Sequence, residues 1–333
     1  MRSAHVTLLF SDGVARRLDA VCGTSVVDAA ANAGLTLLTD CGNGRCGACT
    51  ARLVSGAIEL GDYDRAVLPD QDREGGAILT CMSRVTGPCV VELPYVSSEA
   101  IAEQPPPAVG HVVAIENVAA AIVRLEVSVD AALEFEPGQY VRIRPISSEI
   151  WRSYSMANAS GSSRLVFFIR LVPGGVFSEW LSDSGKRGDE LELSMPHGNF
   201  FLRDEERPRL FVAGGTGLAP FLSMLAAIAA SLAKQRQPTT LLAGVRSFRH
   251  LFAVEELEQL RKRLPNLTLH FAAETDAAKR CHPGYATDLI TKVGLDPATR
   301  VYLCGPPPMV DAGRNAAVAA GIARNDVLCE RFA

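Results

Sequence analysis

The chain has 333 residues, 48% of them hydrophobic and 21% charged. That supplies two or three separate cores and reads as the composition of a soluble globular protein. Its 33 basic residues against 37 acidic ones leave a net charge of −4, so nucleic acid finds no electrostatic reason to bind. The most apolar stretch, Leu218 to Ala233, contains Pro220 and falls short of a membrane span. The opening HVTLLF, then SDG, lacks the basic-then-apolar order of an export signal.

In chain order, HVTLLF and VARRLDA flank a Ser-Asp-Gly turn and predict a hairpin. Thr24 is expected to cap a helix, SVVDAAANAGL, whose Val26, Val27, Ala30 and Leu35 approximate one apolar face. Cys41-Gly42-Asn43-Gly44-Arg45-Cys46-Gly47-Ala48-Cys49 follows, and Cys81 lies about thirty residues on. C-x4-C-x2-C with a distant fourth cysteine is the plant-type ferredoxin spacing for a [2Fe–2S] cluster. The chemistry needs four thiolates, Cys41, Cys46, Cys49 and Cys81, and a backbone that wraps closely, which the interspersed glycines allow. Zinc sites usually pair their cysteines in two short knuckles, whereas Cys81 stands alone in AILTCMSR. A zinc site or incidental cysteines is the competing reading. Nine cysteines in 333 residues are too few for a disulfide framework. Cys22 and Cys89 read as small core residues and Cys281 as a bystander, while Cys329, fifth from the end, does not fit a prenylation box. Sheet, helix and cysteine loop together make a β-grasp plan for residues 1–96, which also hold most of the acidic excess. An oxygen-sensitive cluster without an export signal points to the cytoplasm.

A polar connector ending in three prolines, Ser97–Pro107, closes that first domain. Between His111 and about Arg203 come six short runs separated by glycine and proline turns: HVVAIENV, AIVRLEV, EPGQYVRIRPI, RSYSMAN, RLVFFIRLV and LELSMP. They predict an antiparallel six-stranded β-barrel over residues 108–205. From Arg209 the strands RLFVAGG, TTLLAGV, LTLHFAAE and VYLCG alternate with helical runs. That alternation predicts a doubly wound parallel sheet over 206–333, so the fold class is multidomain, α+β followed by α/β.

Two glycine-bearing sites stand out. Trp151-Arg152-Ser153-Tyr154-Ser155 is followed downstream by Val172-Pro173-Gly174-Gly175-Val176-Phe177-Ser178. Arg152 can fork onto a phosphate, Tyr154 offers a flat ring, and Gly174, Gly175 and Ser178 open a helix, FSEWLSDS, whose N-terminus welcomes an anion. A capped helix and a core tyrosine would explain the same residues. Ala213-Gly214-Gly215-Thr216-Gly217-Leu218-Ala219-Pro220 fits two glycines of a dinucleotide fingerprint, with Pro220 in place of the third. Its setting strengthens it: it joins a strand to a helix, and Cys304-Gly305-Pro306-Pro307-Pro308-Met309 ends a later strand of the same sheet.

In this order, R-x-Y-S at Arg152–Ser155, G-G-x-x-S at Gly174–Ser178, G-G-T-G at Gly214–Gly217 and C-G-P-P at Cys304–Pro307 resemble the ferredoxin–NADP reductase superfamily. With the N-terminal cysteine loop, the whole chain resembles the reductase component of bacterial aromatic-ring dioxygenases, the benzoate and anthranilate type. The resemblance implies that the barrel binds FAD and the parallel sheet a nicotinamide dinucleotide. Arg152 would bind the FAD pyrophosphate with Ser153 and Arg170 nearby, Tyr154 would pack on the isoalloxazine, and Ser155 would hydrogen-bond near flavin N5. Gly174, Gly175, Val176 and Ser178 would cradle the pyrophosphate. Gly214, Gly215, Thr216 and Gly217 would hold the dinucleotide phosphates beside Gly305, Pro306 and Met309. Cys304 would sit by the nicotinamide, Glu330 would join that site, and Phe332 would shield the flavin, although a frayed end reads equally well there.

Electron counting completes the implied mechanism. A nicotinamide gives two electrons as a hydride, a [2Fe–2S] cluster takes one at a time, and FAD can do both. The donor is expected to be NADH, with NADPH possible: Arg246, Arg249 and His250 end the second strand of the sheet, where an NAD site commonly has an acid. The acceptor would be a separate terminal oxygenase of Rieske type, docked near the cluster loop around Arg45, and no membrane partner is expected. The same domain order also serves reductases of soluble di-iron hydroxylases and of deoxysugar formation, and a non-catalytic redox sensor remains a third reading.

Overall fold

The computed structural model describes residues 2–100, 106–277 and 281–332. Its contacts fall into two compact units, Met1–Pro105 with Arg331–Ala333, and Pro106–Glu330.

In the first unit, β1 (Ser3–Leu9) and β2 (Ala15–Val21) form the expected antiparallel hairpin. Helix α1 runs Val26–Asn32, and its cap is Ser25 rather than Thr24. The Ser25 hydroxyl accepts the Asp28 N–H at 3.0 Å and donates to the Asp28 carboxylate at 2.7 Å. Thr24 instead donates to the Val21 carbonyl, closing the preceding turn. Leu35 therefore follows the helix, yet still packs on the core. β3 (Thr50–Leu60), α2 (Asp70–Glu74), β4 (Ala77–Leu79) and β5 (Ser83–Glu92) complete a sheet of order β2-β1-β5-β3-β4. The β1–β5 pair is parallel, placing Val6 beside Cys89, and both are buried with Leu8, Val85 and Val91. Cys22 is only half-buried. Ser97–Ala100, inside the expected connector, forms a 3-10 turn. Ala100 is buried in this unit's core, and Ser97 bonds Asp12 through both its N–H and its hydroxyl. The connector's residues 101–105 lie outside the described residues.

The second unit opens with β6 (Ala108–Ala119), β7 (Ile122–Leu133), β8 (Tyr140–Pro145), β9 (Arg152–Ser155), β10 (Ser162–Arg170) and β11 (Glu190–Leu193). These six strands form a curled antiparallel sheet, order β10-β7-β6-β11-β8-β9, around Leu125, Val127, Val141, Ile143, Leu165 and Phe167. Between β10 and β11, α3 (Val176–Glu179) continues as a π-helical turn, Trp180–Ser184, so the expected single helix is broken in character.

The chain continues through β12 (Arg209–Gly214), α4 (Ala219–Ala230), α5 (Leu232–Gln235), β13 (Thr239–Ser247), α6 (Val254–Arg263), β14 (Leu267–Thr275), β15 (Cys281–Pro283), β16 (Arg300–Gly305), α7 (Pro307–Ala319) and β17 (Val327–Arg331). The sheet order is β15-β14-β13-β12-β16-β17, and β12 pairs in parallel with both β13 and β16. Strand order thus reverses between β12 and β16, which is where ligands bind such sheets, outside the carboxyl ends. β15 and β17 are short edge strands that no apolar alternation announces, and β15 buries Cys281.

Curled and parallel sheets pack together within this unit. Phe200 meets Phe221 and Tyr302 edge-on at 5.9 and 6.0 Å, and Phe168 meets Phe252 at 4.7 Å. Tyr302, almost fully buried, accepts the Arg203 N–H at 3.0 Å. Aromatic pairs of this kind contribute about 0.5–1.5 kcal/mol each beyond the area they bury.

Candidate functional site

In the first unit the four expected cysteines lie on one loop and the β4–β5 turn. The Cys49 and Cys81 sulfurs are 3.2 Å apart, Cys41 and Cys46 hydrogen-bond each other, and the Arg45 N–H points at the Cys41 sulfur from 3.3 Å. The hydrogen bond from Cys46 holds the Cys41 thiol below its ordinary range while Cys46 is pushed up, and in the other pair the hydrogen bond from Cys81 lowers Cys49 while Cys81 is pushed up. Within each pair one thiol is thus the readier to ionise and the other donates to it. Among the described residues no three such ligands converge on one point as for a single metal ion. Two pairs of thiols fit a two-iron cluster with two protein ligands per iron. Gly44 shows why a glycine is required: its φ is +74°, and a Cβ there would stand 2.8 Å from Met82 and Tyr63 side-chain atoms. Cys41 and Arg45 are exposed and Cys49 is buried, so the loop has one solvent-facing edge.

In the second unit, β9 carries Arg152, Ser153, Tyr154 and Ser155 at the sheet edge, paired with β8. Arg152 is exposed, its guanidinium held by the Trp151 carbonyl at 2.9 Å. The Tyr154 ring lies 5.3 Å from Phe177, which stacks on Trp180 at 5.5 Å. Burial pushes the Tyr154 phenol up, so it stays neutral. Gly174 has φ +74° and open space beside it, Gly175 begins α3, and exposed Val172 and Val176 flank them. Ser178 is buried; its oxygen accepts the Val172 N–H at 3.0 Å, closing the Gly174–Gly175 turn and keeping its own proton to donate. Arg170 is exposed at the end of β10. A cradle with a guanidinium at its rim and aromatic rings in its floor suits a flavin dinucleotide.

At the switch point, Gly214–Gly217 and Gly305–Met309 lie side by side. A Cβ on Gly217 would stand 2.2 Å from the Cys304 carbonyl oxygen, and one on Gly214 or Gly305 would strike the Met309 sulfur. Only glycine permits this closeness, and Gly215 and Thr216 are left facing outward. Helix α4 begins at Ala219, with Pro220 in its first turn, where a missing N–H costs nothing. Cys304 ends β16 almost fully buried, and its sulfur lies 3.6 Å from a Glu330 carboxylate oxygen on β17. Burial first, then the nearby carboxylate, raises this thiol well above its ordinary value, so it is a neutral S–H donor to Glu330. The other oxygen of Glu330 stands 3.9 Å from the Cβ direction of Gly198. Gly198 in turn lies against the Tyr140 ring, and Tyr140 pairs with Ser155 across β8 and β9. The structure thus links Ser155, Glu330 and Cys304 through Tyr140 and Gly198, which the sequence reading missed. A tyrosine in an apolar strand reads as core, and no local signal distinguishes it. Phe332 is half-buried just beyond β17, and Arg246 is exposed near the end of β13.

Comparison with known proteins shows the family. Family models match residues 9–86 as a 2Fe-2S iron-sulfur cluster binding domain, 110–202 as an oxidoreductase FAD-binding domain and 211–315 as an oxidoreductase NAD-binding domain. The toluate 1,2-dioxygenase electron transfer component of Pseudomonas putida is 36% identical over 331 residues, covering 97% of each chain. The anthranilate 1,2-dioxygenase electron transfer component of Acinetobacter baylyi is 33% identical, with 98% and 96% covered. The chain belongs to the oxygenase electron-transfer component family. Among solved structures, the Amycolatopsis cytochrome P450 reductase GcoB superposes with a TM-score of 0.73 at 26% identity, covering 98% of both chains. This electron-transfer component is therefore an oxidoreductase that binds a [2Fe–2S] cluster, FAD and a nicotinamide dinucleotide, and carries electrons from NADH to the cluster. No helix among the described residues is long and apolar enough to cross a membrane.

Proposed function

We propose that this reductase supplies a cytoplasmic Rieske-type oxygenase that hydroxylates an aromatic carboxylate, docking at the exposed Cys41–Arg45 edge of the cluster loop. The observation that carries the reading is that edge: Cys49 is buried and packs with half-buried Cys81 against Leu68 and Leu79, while Cys41 faces solvent. The family relatives named for toluate and anthranilate dioxygenases support the substrate class. The domains are taken as 1–96, 108–205 and 206–333. When bound, FAD supplies the exchange between hydride and single-electron chemistry. The chain's own residues do the rest. Arg152 and the Gly174–Gly175 turn hold the flavin phosphates, while Tyr154 and Phe177 give the ring an apolar floor. Gly214 to Gly217 bind the donor's phosphates, and Glu330 fixes the Cys304 S–H at the meeting point of the two sites. The buried thiol narrows that meeting point, and no general base is required there.

The test combines the NADH-reduced protein with a purified Rieske oxygenase and an aromatic carboxylate, measuring hydroxylated product. The reading predicts product that depends on both proteins and falls when Arg45→Glu reverses the docking charge. Equal product with that variant would place docking elsewhere. Electron delivery only to a di-iron hydroxylase would replace the proposed partner.

A further inference from the structure

The turn that enters β8 reads Glu136-Pro137-Gly138-Gln139. Proline second and a left-handed glycine third, at φ +115°, suit a type II turn, which the Gln139 N–H closes on the Glu136 carbonyl at 2.9 Å. The Gln139 side chain then folds back over the turn. Its Oε1 accepts the Glu136 N–H at 2.9 Å, and its Nε2 donates to the Gly198 carbonyl at 3.0 Å. Resting on the flavin and nicotinamide placements above, we propose that Gln139 is a positioning residue for flavin reduction, its amide fixing the Gly198 turn between Ser155 and the Cys304–Glu330 pair.

The chemistry of the two bonds comes first. One partner is a donor and the other an acceptor, so the amide has a single orientation. An ionised carboxylate could only accept here, an ammonium only donate, and a thioether could do neither well. The Gly198 backbone is itself closely confined. Its φ is +104°, and a Cβ there would stand 3.0 Å from the Tyr140 ring, with a Glu330 oxygen 3.9 Å away.

Gln139 also holds the other side of the site. Its carbonyl accepts the N–H of Met156, the residue after Ser155, at 3.2 Å. Next to it, the Tyr140 N–H donates to the His197 carbonyl at 3.0 Å and the His197 N–H to the Tyr140 carbonyl at 2.8 Å. One residue thus grips the Ser155 strand by its backbone and the Gly198 turn by its side chain. The turn is seated against the parallel sheet as well. A Cβ on Gly138 would strike Met224 on α4, the helix that follows Gly214–Gly217, and the Pro137 carbonyl accepts the Leu202 N–H at 2.9 Å. Transfer between two stacked rings depends steeply on their placement, and a shift of about 1 Å can cost about a hundredfold in rate. The phosphate-holding residues Arg152, Gly174 and Gly175 take no part in these bonds, so flavin retention is separable from the rate.

The experiment uses the flavin- and cluster-loaded protein without oxygen. It measures the rate of flavin bleaching at saturating NADH, the NADH affinity, the flavin content, and hydrogen–deuterium exchange at the Tyr140 and His197 amides. Gln139→Met keeps the side-chain length and removes both bonds. It should slow bleaching about tenfold or more, change NADH affinity and flavin content by less than about twofold, and quicken exchange at both amides. Gln139→Glu should be slow at about pH 8 and regain rate relative to the wild type toward about pH 5, because a protonated carboxyl can donate to Gly198. The wild type is profiled alongside, since Glu136, His197 and Glu330 surround the same turn. A full rate in Gln139→Met, or a Gln139→Glu profile parallel to the wild type, overturns the proposal. Should Gln139→Met lose its flavin, the Gln139→Glu profile alone decides. Ser155→Ala checks the site beneath: a full rate there overturns the flavin placement and the proposal with it. A slow Ser155→Ala beside a full-rate Gln139→Met overturns the proposal alone.

Discussion

The cysteine loop and the dinucleotide edge are both glycine-rich, but they use glycine for different reasons. At Gly44 and Gly215 the backbone takes φ of +74° and +56°, conformations that side-chain-bearing residues rarely adopt. At Gly217, Gly214 and Gly305 the angles lie outside the left-handed region, and the need is space, because the Cys304 carbonyl or the Met309 sulfur stands closer than any real Cβ contact allows. The cluster region needs a chain that turns around something. The glycine edge of the parallel sheet needs two chain segments that nearly touch.

That contrast yields predictions of graded size. The largest is chemical: Cys46→Ser should abolish the cluster's visible absorbance while NADH still bleaches bound flavin, because the thiols and the dinucleotide edge belong to different compact units. Loss of flavin bleaching in that variant would break the separation. Next, Gly217→Ala puts a methyl 2.2 Å from a backbone oxygen and should destabilise the second unit by about 2–4 kcal/mol and weaken NADH binding, read by denaturation and calorimetry. A shift under 1 kcal/mol would show that the β16 end can yield. Gly215→Ala meets open space and should show only the left-handed strain of about 1 kcal/mol.

A different prediction concerns the far end of the sheet. Arg207 grips Asp326 with two 3.0 Å bonds, and Arg300 reaches both Glu205 and Asp326, tying the segment before β17 to the start of β12 and β16. The hydrogen bond from Arg207 lowers the Asp326 pKa. A carboxylate with a depressed folded value stabilises the protein above its unfolded pKa, and that contribution fades as pH falls through the folded value. Asp326→Ala should therefore cost about 1–2 kcal/mol near pH 7, and the difference from wild type should begin to fade as pH falls below about 4 and be lost only below the depressed folded value. A pH-independent difference would mean that packing, not charge, carries the effect.

The three sheets and the cluster-binding domain were legible because their signals are local: cysteine spacing, alternation, and strands alternating with helices. What was not legible depended on partners distant in sequence. Thr24 and Ser25 are both good caps, and only the turn that claims the Thr24 hydroxyl decides between them. β17 exists because β16 offers an edge, not because VLCER has a strand pattern. The Glu330 carboxylate stands beside the Cys304 sulfur only because β17 pairs with β16, a juxtaposition no local pattern announces. Tyr140 gave no sign at all, since its place between Ser155 and Gly198 arises from pairing across β8.

The most direct test of the account is an anaerobic titration of the purified protein with NADH, following flavin absorbance and the electron paramagnetic resonance of the cluster. The account predicts bleaching followed by the signal of a reduced [2Fe–2S] centre. Bleaching with no cluster signal, or no response at all, would contradict an electron path from nicotinamide to the Cys41–Cys81 site.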